Sequence, residues 1–427
     1  MKFKNKKVLV FGLGDSGRSA VKLLSKLGAK VFFYDDDVQY ANYVGYVRRV
    51  EEEKFDYCIL SPGVTVRENK TLEMLIGNGT KILSELDLGY LFLKGRVVAV
   101  TGTNGKTTTA SLIYKILKDN GYEARLCGNI GNPISSVSGT NKKMVTVVEV
   151  SSFQLETSKL FRADVGVILN IKPDHLDRHG TMQNYIDCKV KLCEFTRKFL
   201  VLNYDDKIVR NLKNEKKCLF FSKKTLKKGV FLRNNQIYIN KTPVCGTENL
   251  KLLGEKNLEN VLGAVGALSK FRNIKFNDSV KNFTPSPHRV EVVGEQGGVV
   301  FVDDSKATNV ASTVNALSAF ANKNIILLAG GRGKEAPYDE IFQRPLKLVV
   351  GFGEEGEKIC AVANAYKTPS VYVGRFDNAV RYACEKSESG DVVLLSPACS
   401  SFDEFSSYKE RGERFKETVL EFLSGKN

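Results

Sequence analysis

The sequence predicts an α/β chain built on parallel sheets, and three observations carry that prediction. Short runs rich in Val, Ile, Leu and Phe recur along the 427 residues: KVLVFGLG, KVFFYD, DYCILSPG, VVAVTG, MVTVVEVSS, VGVILNI, KFLVLNYDD, GVVFVDD, NIILLAGG, KLVVGFG, SVYVG and DVVLLSP. Amphipathic stretches separate many of them, the alternation expected of strands buried on both faces and joined by crossover helices. Two glycine-rich turns, GLGDSG and TGTNGKTTT, each follow a strand-like run and open a helix-like one. That is how α/β folds offer backbone N–H groups and a helix N-terminus to phosphate.

A chain of this length exceeds one hydrophobic core and fits two or three domains. Three blocks are expected. Residues 1–94 end where a new strand leads into the second glycine-rich turn, residues 95–285 end at the Pro-rich FTPSPHR (Pro285, Pro287), and residues 286–427 complete the chain. Within the middle block FLRNNQIYIN (231–240) reads as a hairpin with Asn-Asn at its turn.

Nine cysteines, an odd number without a C-x-x-C pair, point to reduced thiols and a cytoplasmic protein. The N-terminus runs straight into a strand pattern, and no apolar run approaches the ~18 residues of a membrane span. The net charge of +16, from 64 Lys+Arg against 48 Asp+Glu, fits a nucleic acid or an anionic small substrate. Many of the lysines lie between 207 and 256 with few aromatics among them. That is the composition of a solvated face, so no nucleic-acid partner is expected.

In the first block Gly12, Gly14 and Gly17 form the turn, and Asp35 ends the next strand. This is the dinucleotide fingerprint, in which glycines allow close backbone approach and an acid about 20 residues on binds a ribose. The block ends before a second nucleotide-binding half is completed, which suits a mononucleotide such as a UDP group better than NAD.

In the middle block the phosphate loop is shortened. A G-x-x-x-x-G-K-[ST] motif would begin at position 100, where Val100 stands, yet Gly102, Gly105, Lys106 and Thr107 keep their strand–loop–helix context. Lys106 is expected to reach the β- and γ-phosphates and Thr107 to bind Mg²⁺. Glu149, at the end of the strand in VVEVSSFQLE, can give an anionic oxygen to the same ion. His175 ends another strand, in NIKPDHLDRHG, and Lys189 lies on the following helix. The chain holds only His175, His179 and His288. A bare Lys189 cannot bind a metal.

TGTNGKTTT, EVSSFQLE, NIKPDHLDRHG with YIDCK, and SPACSSFDEFSSYKERGERF together resemble the Mur ligases of peptidoglycan synthesis, in order and across all three blocks. They lie nearest the branch that adds D-glutamate to UDP-N-acetylmuramoyl-L-alanine. The resemblance implies a Rossmann-like UDP-binding domain, a central P-loop ATPase domain with a parallel sheet, and a C-terminal Rossmann-like domain that binds the amino acid. It implies ATP and two Mg²⁺ ions, with CO₂ held as a carbamate on Lys189 that ligates the second ion beside His175. ATP contacts then fall on Gly102, Thr103, Asn104, Gly105, Lys106, Thr107 and Thr108, and further on Asn129, Asn260, Arg289 and Asp304. The D-glutamate site falls on Thr308, Lys334, Ser401 and the backbone at Tyr408, and UDP contacts on Asp15, Ser16, Asp35, Asp36 and Ser61. A monomer is expected.

Two positions depart from the family pattern. Lys256 stands where a histidine is frequent, and the run Asp35–Asp36–Asp37 stands where a basic or hydroxyl residue often follows the acid. The tripeptide-forming Mur ligases and folylpolyglutamate synthase share the shortened loop, but neither carries SPACSSFDEF. An NAD oxidoreductase would require a complete dinucleotide site, and a nucleic-acid-stimulated ATPase would require basic or aromatic surfaces near the loop.

Overall fold

In a computed structural model, strands β1 (Lys7–Phe11), β2 (Lys30–Tyr34), β3 (Tyr57–Leu60) and β4 (Lys81–Ser84) form a parallel sheet ordered β2-β1-β3-β4. The residues described are 3–35, 45–47, 49–137, 140–212, 218–248, 255–284, 287–320, 323–333 and 337–425. Asp36, Asp37, Pro285 and Lys334 lie outside them, as does the side chain of Lys256. The apolar strands bury both faces: Val8, Val10 and Ile59 enter one core, Leu9, Phe11 and Cys58 the other.

The second sheet holds β5 (Arg96–Thr101), β6 (Ala124–Gly128), β7 (Val145–Glu149), β8 (Ala163–Ile168), β9 (Thr196–Asn203), β10 (Cys218–Ser222), β11 (Val230–Arg233), β12 (Gln236–Ile239) and β13 (Thr242–Gly246). Its order is β13-β12-β11-β10-β9-β8-β5-β7-β6, parallel as far as β11 and antiparallel through β12 and β13. The chain runs from β5 to one edge and returns to the other side of β5 at β8. That reversal is where open α/β sheets bind ligands. The predicted hairpin is present as β11 and β12, with Asn234 (φ 47°) and Asn235 (φ 55°) in the left-handed conformation a two-residue turn requires.

The third sheet holds β14 (Glu291–Gln296), β15 (Val299–Asp303), β16 (Asn324–Gly330), β17 (Leu348–Phe352), β18 (Ser370–Gly374) and β19 (Asp391–Ala398). Its order is β14-β15-β19-β16-β17-β18, parallel except for β14. Each apolar run quoted above contains a strand. Strands β4, β6, β10, β13 and β14 escape the sequence reading because they are short or, like EVVGEQ, mostly half-buried to exposed.

Contacts divide the chain into two compact units, one of residues Met1–Ile171, Thr181–Glu248 and Glu259–Lys281, the other of Lys172–Gly180, Asn249–Leu258 and Asn282–Asn427. The first unit holds two sheets because the helix Glu85–Tyr90, after β4, is anchored in the second sheet's connections. Fully buried Asp87 accepts hydrogen bonds from Ser158 Oγ at 2.6 Å and from the N–H groups of Lys159, Leu160 and Phe161, each at 2.9 Å. Glu85 accepts from the Ser135 N–H at 2.7 Å, and Ser135 Oγ meets Ser19 Oγ at 2.9 Å. All nine cysteines are free thiols, and no described helix is long and apolar enough to cross a membrane.

Asp87→Ala leaves those donors buried without an acceptor. It is expected to cost about 3 kcal/mol or more, read as a lower urea denaturation midpoint. Asp87→Asn, which keeps an acceptor, should lose less.

Candidate active site

In the first sheet, the described candidate residues leave the carboxyl ends of neighbouring strands. The turn after β1 is knitted to its neighbours: Ser61 Oγ donates to Gly12 O at 2.6 Å, and the Asp35 carboxylate accepts the Leu13 N–H. Gly17 is required there, since a Cβ would sit 1.8 Å from Gly12 O. Asp15, Ser16, Asp35 and Ser61 line a cleft of about 490 Å³ whose far wall includes Asn129 and Gln154. The cleft thus runs from the turn to the end of the second sheet. Gln154 Oε1 is held by the Ser151 N–H at 3.0 Å in a capping box.

The phosphate loop follows β5 at the reversal point of the second sheet. Gly105 adopts φ 83° and caps the helix Lys106–Asp119, and a Cβ there would lie 2.0 Å from Asn260 Oδ1. Lys106 Nζ folds onto the loop, donating to Gly102 O at 3.0 Å and Thr103 O at 2.8 Å. Thr107 is half-buried and Thr108 buried on that helix. Asn170, just past β8, brackets the loop: its carbonyl accepts the Thr103 N–H at 2.9 Å, its Oδ1 accepts the Asn104 N–H at 2.9 Å, and its Nδ2 donates to Asn104 O at 3.1 Å. Tyr185 Oη meets Thr103 Oγ1 at 3.0 Å.

Glu149 pairs in register with Val100 and is 1% exposed. Asn129 Nδ2 donates to its Oε1 at 2.9 Å, while the buried Oε2 has no hydrogen-bond partner. Lys189 is also 1% exposed; its Nζ donates to Gly102 O at 2.8 Å and lies 4.6 Å from the centre of the Tyr185 ring. Glu149, Lys106, Thr107, Asn129, Asn260 and Lys189 belong to the first unit. His175 belongs to the second, in the segment Lys172–Gly180.

In the third sheet the described candidates Asp304, Thr308 and Ser401 follow the carboxyl ends of the neighbouring strands β15 and β19, and Arg289 precedes β14. Asp304 follows β15, with Oδ2 accepting from Ser396 Oγ at 2.8 Å and Oδ1 from the Val290 N–H at 3.3 Å. Burial raises its carboxyl to about 7, against the opposing pull of Ser396 and the nearby Arg289. Half-buried Thr308 lies on the same loop, and buried Ser401 lies on the loop after β19. Arg332, two residues before Lys334, exchanges backbone hydrogen bonds with Ser400 at 3.0 and 2.9 Å, tying the loops after β16 and β19 together.

The sequence reading missed Arg411. Fully buried, it donates from Nε to Ser305 Oγ at 3.0 Å, from Nη2 to Ser305 O and Cys399 O, and from Nη1 to Ser400 O. Desolvation pushes its guanidinium down to about 10. Ser305 Oγ in turn donates to Tyr408 O at 2.8 Å, and Lys306 Nζ lies 3.7 Å from the centre of the Tyr408 ring. Arg411 therefore holds together the backbone flanking Asp304, Ser401 and Tyr408. Its signal was its place in YKERGERF; Asn170 and Tyr185 likewise sit inside NIKPDHLDRHG and four residues before Lys189.

Residues 100–268 match the family model described as the Mur ligase middle domain, and residues 288–399 that of the Mur ligase, glutamate ligase domain. The chain is 38% identical over 453 aligned positions to the UDP-N-acetylmuramoylalanine–D-glutamate ligase of Thermoanaerobacter sp. (strain X514), covering 99% of each. It is 39% identical over 454 positions to the enzyme of that name from Pelotomaculum thermopropionicum, again covering 99% of each. Among solved structures, the MurF ligase of Thermotoga maritima in complex with ADP shares the fold, with a TM-score of 0.64 at 18% identity over 100% of this chain and 97% of that one.

The raised Asp304 carboxyl makes stability depend on pH. The unfolded chain ionises near 4 and the folded one near 7, so stability is full below about pH 4, declines as pH rises, and levels off above about 7. Asp304→Asn should abolish this decline. The mutant's thermal midpoint, relative to the parent, should therefore be higher at pH 8 than at pH 5.

Proposed function

This chain belongs to the Mur ligase family of ATP-dependent amide-bond-forming ligases, and we propose that it joins D-glutamate to UDP-N-acetylmuramoyl-L-alanine through an acyl phosphate, in peptidoglycan precursor synthesis. The observation that carries this reading is the cleft that leads from the glycine-rich turn of the first sheet to Asn129, the residue that holds Glu149 beside the phosphate loop. One elongated anionic substrate can lie there, its UDP end at Asp15, Ser16, Asp35, Asp36 and Ser61 and its reactive carboxylate near ATP.

Magnesium suits the donors here on one observation: Glu149 Oε2 is buried without a protein partner, a costly state unless a ligand completes it. In this reading Thr107 and Glu149 hold one ion, and His175 with a carbamate on Lys189 holds a second. Bound there, magnesium offsets the negative charge on the phosphoryl oxygens. ATP lies along residues 102–108 and against Asn129, Asn260, Arg289 and Asp304. Lys106 leaves the loop carbonyls for the phosphate oxygens. The alanyl carboxylate attacks the γ-phosphorus and ADP departs; the D-glutamate amine then attacks the acyl carbon, and phosphate departs. Thr308, Lys334, Ser401 and the Tyr408 backbone hold the two carboxylates of D-glutamate, leaving its amine free.

The three sheets fall within 1–94, 95–285 and 286–427, and in this reading those blocks bind UDP, ATP and the amino acid in a cytoplasmic monomer. Phosphate release with ATP, UDP-N-acetylmuramoyl-L-alanine and equal concentrations of candidate amino acids tests the reaction. D-Glutamate should exceed L-glutamate and D-aspartate by at least ~10-fold. A preference for meso-diaminopimelate or L-lysine would make this a tripeptide-forming ligase, and L-glutamate addition to a folate would make it a folylpolyglutamate synthase. Lys189→Ala should lose most activity and regain part of it with added formate, whereas full activity without additive would remove Lys189 from the mechanism.

A further inference from the structure

His175 is held in an unfavourable backbone conformation by a neighbour that is itself held from elsewhere. Its φ of 54° is left-handed, a state unfavourable for a residue with a Cβ that persists only when its surroundings impose it. Asp174 supplies one restraint: its Oδ1 accepts the His175 N–H at 3.1 Å, and its Oδ2 lies 3.6 Å from His175 Nε2. The Asp174 side chain is only 7% exposed, against 36% for that of His175. Asp174 is in turn reached by Asn309, whose Nδ2 donates to Asp174 Oδ2 at 3.1 Å. Asn309 cannot drift, because its Oδ1 caps the helix Val310–Ala319 by accepting the Ser312 N–H at 2.9 Å. Asn309 and Asp174 both belong to the second compact unit.

We propose that Asn309 and Asp174 form a positioning pair for His175. The helix cap fixes Asn309, Asn309 fixes the Asp174 carboxylate, and Asp174 fixes the strained backbone of His175 and lies beside its ring. Asn309 directly follows Thr308, so the loop assigned to D-glutamate also sets the histidine assigned to the metal. The proposal rests on that reading of His175.

Asn309→Asp tests the pair, because a carboxylate still caps the helix but faces Asp174 with a like charge where a donor stood. The double variant Asp174→Asn with Asn309→Asp restores one donor and one acceptor in reversed order and keeps an acceptor for the His175 N–H. The single variant should raise the Mg²⁺ concentration for half-maximal phosphate release roughly 10-fold, the scale of one lost hydrogen bond to a charged group. It should also speed amide hydrogen exchange in residues 172–180. The double variant should return both readings to within about 3-fold of the parent. Parental Mg²⁺ dependence and exchange in the single variant, or a double variant no better than the single, would overturn the proposal. His175→Ala separates the two failures: parental activity in that variant would sink the reading of His175, while the exchange measurement still reports on the pair.

Discussion

The glycine-rich loop of residues 102–105 is held in shape from other parts of the chain, and the middle of the molecule is arranged around those holds. A loop rich in glycine has little side-chain packing with which to fix its own shape. Asn170 meets the need by bonding Thr103 and Asn104 from the loop after β8, while Tyr185 and Lys189 bond Thr103 and Gly102 from the helix Met182–Phe195. The Asn170 support exists because β5 and β8 are adjacent parallel strands, which brings the loops after them to the same end of the sheet. Gly105 completes the arrangement, since its left-handed turn leaves room only for the amide of Asn260.

The same principle recurs in the third sheet with a cation in place of an amide. Arg411 gathers the carbonyls of Ser305, Cys399 and Ser400 just past the ends of two strands. Its planar fork suits several acceptors at fixed angles, a task a lysine could not perform. The cost is a desolvated charge, visible in the lowered guanidinium pKa of about 10. In both sheets long-range hydrogen bonds from other elements shape the loops that carry candidate residues, and Lys189 belongs to both groups, a candidate residue that also bonds Gly102 O.

Glu149 shows the boundary between the two roles. One oxygen is satisfied by Asn129 and the other is buried with nothing to accept. A fold selected for stability alone would fill or replace such an atom, because an unmet buried acceptor costs about 1–3 kcal/mol. The site tolerates that loss at the end of β7, next to the phosphate loop.

The sequence by itself determined the parts of this protein whose physics is local. Alternating apolar strands and amphipathic helices, the glycine turns and the Asn-Asn hairpin could all be read from periodicity and turn chemistry, and Lys106, Glu149, His175 and Lys189 were singled out as candidates by short motifs and a family resemblance. The edge strand β14 could not, because a half-exposed antiparallel strand lacks the continuous apolar run that marked its neighbours. Tertiary structure alone decided the strand order, the grouping of two sheets in one unit through Asp87, and the supports of the site. Those supports are hydrogen bonds between residues 66, 82 and 135 positions apart, joining Asn104 to Asn170, Thr103 to Tyr185 and Asp174 to Asn309. A bond of that span leaves no period or spacing in the sequence; it exists only once the sheets have set the distance between its ends.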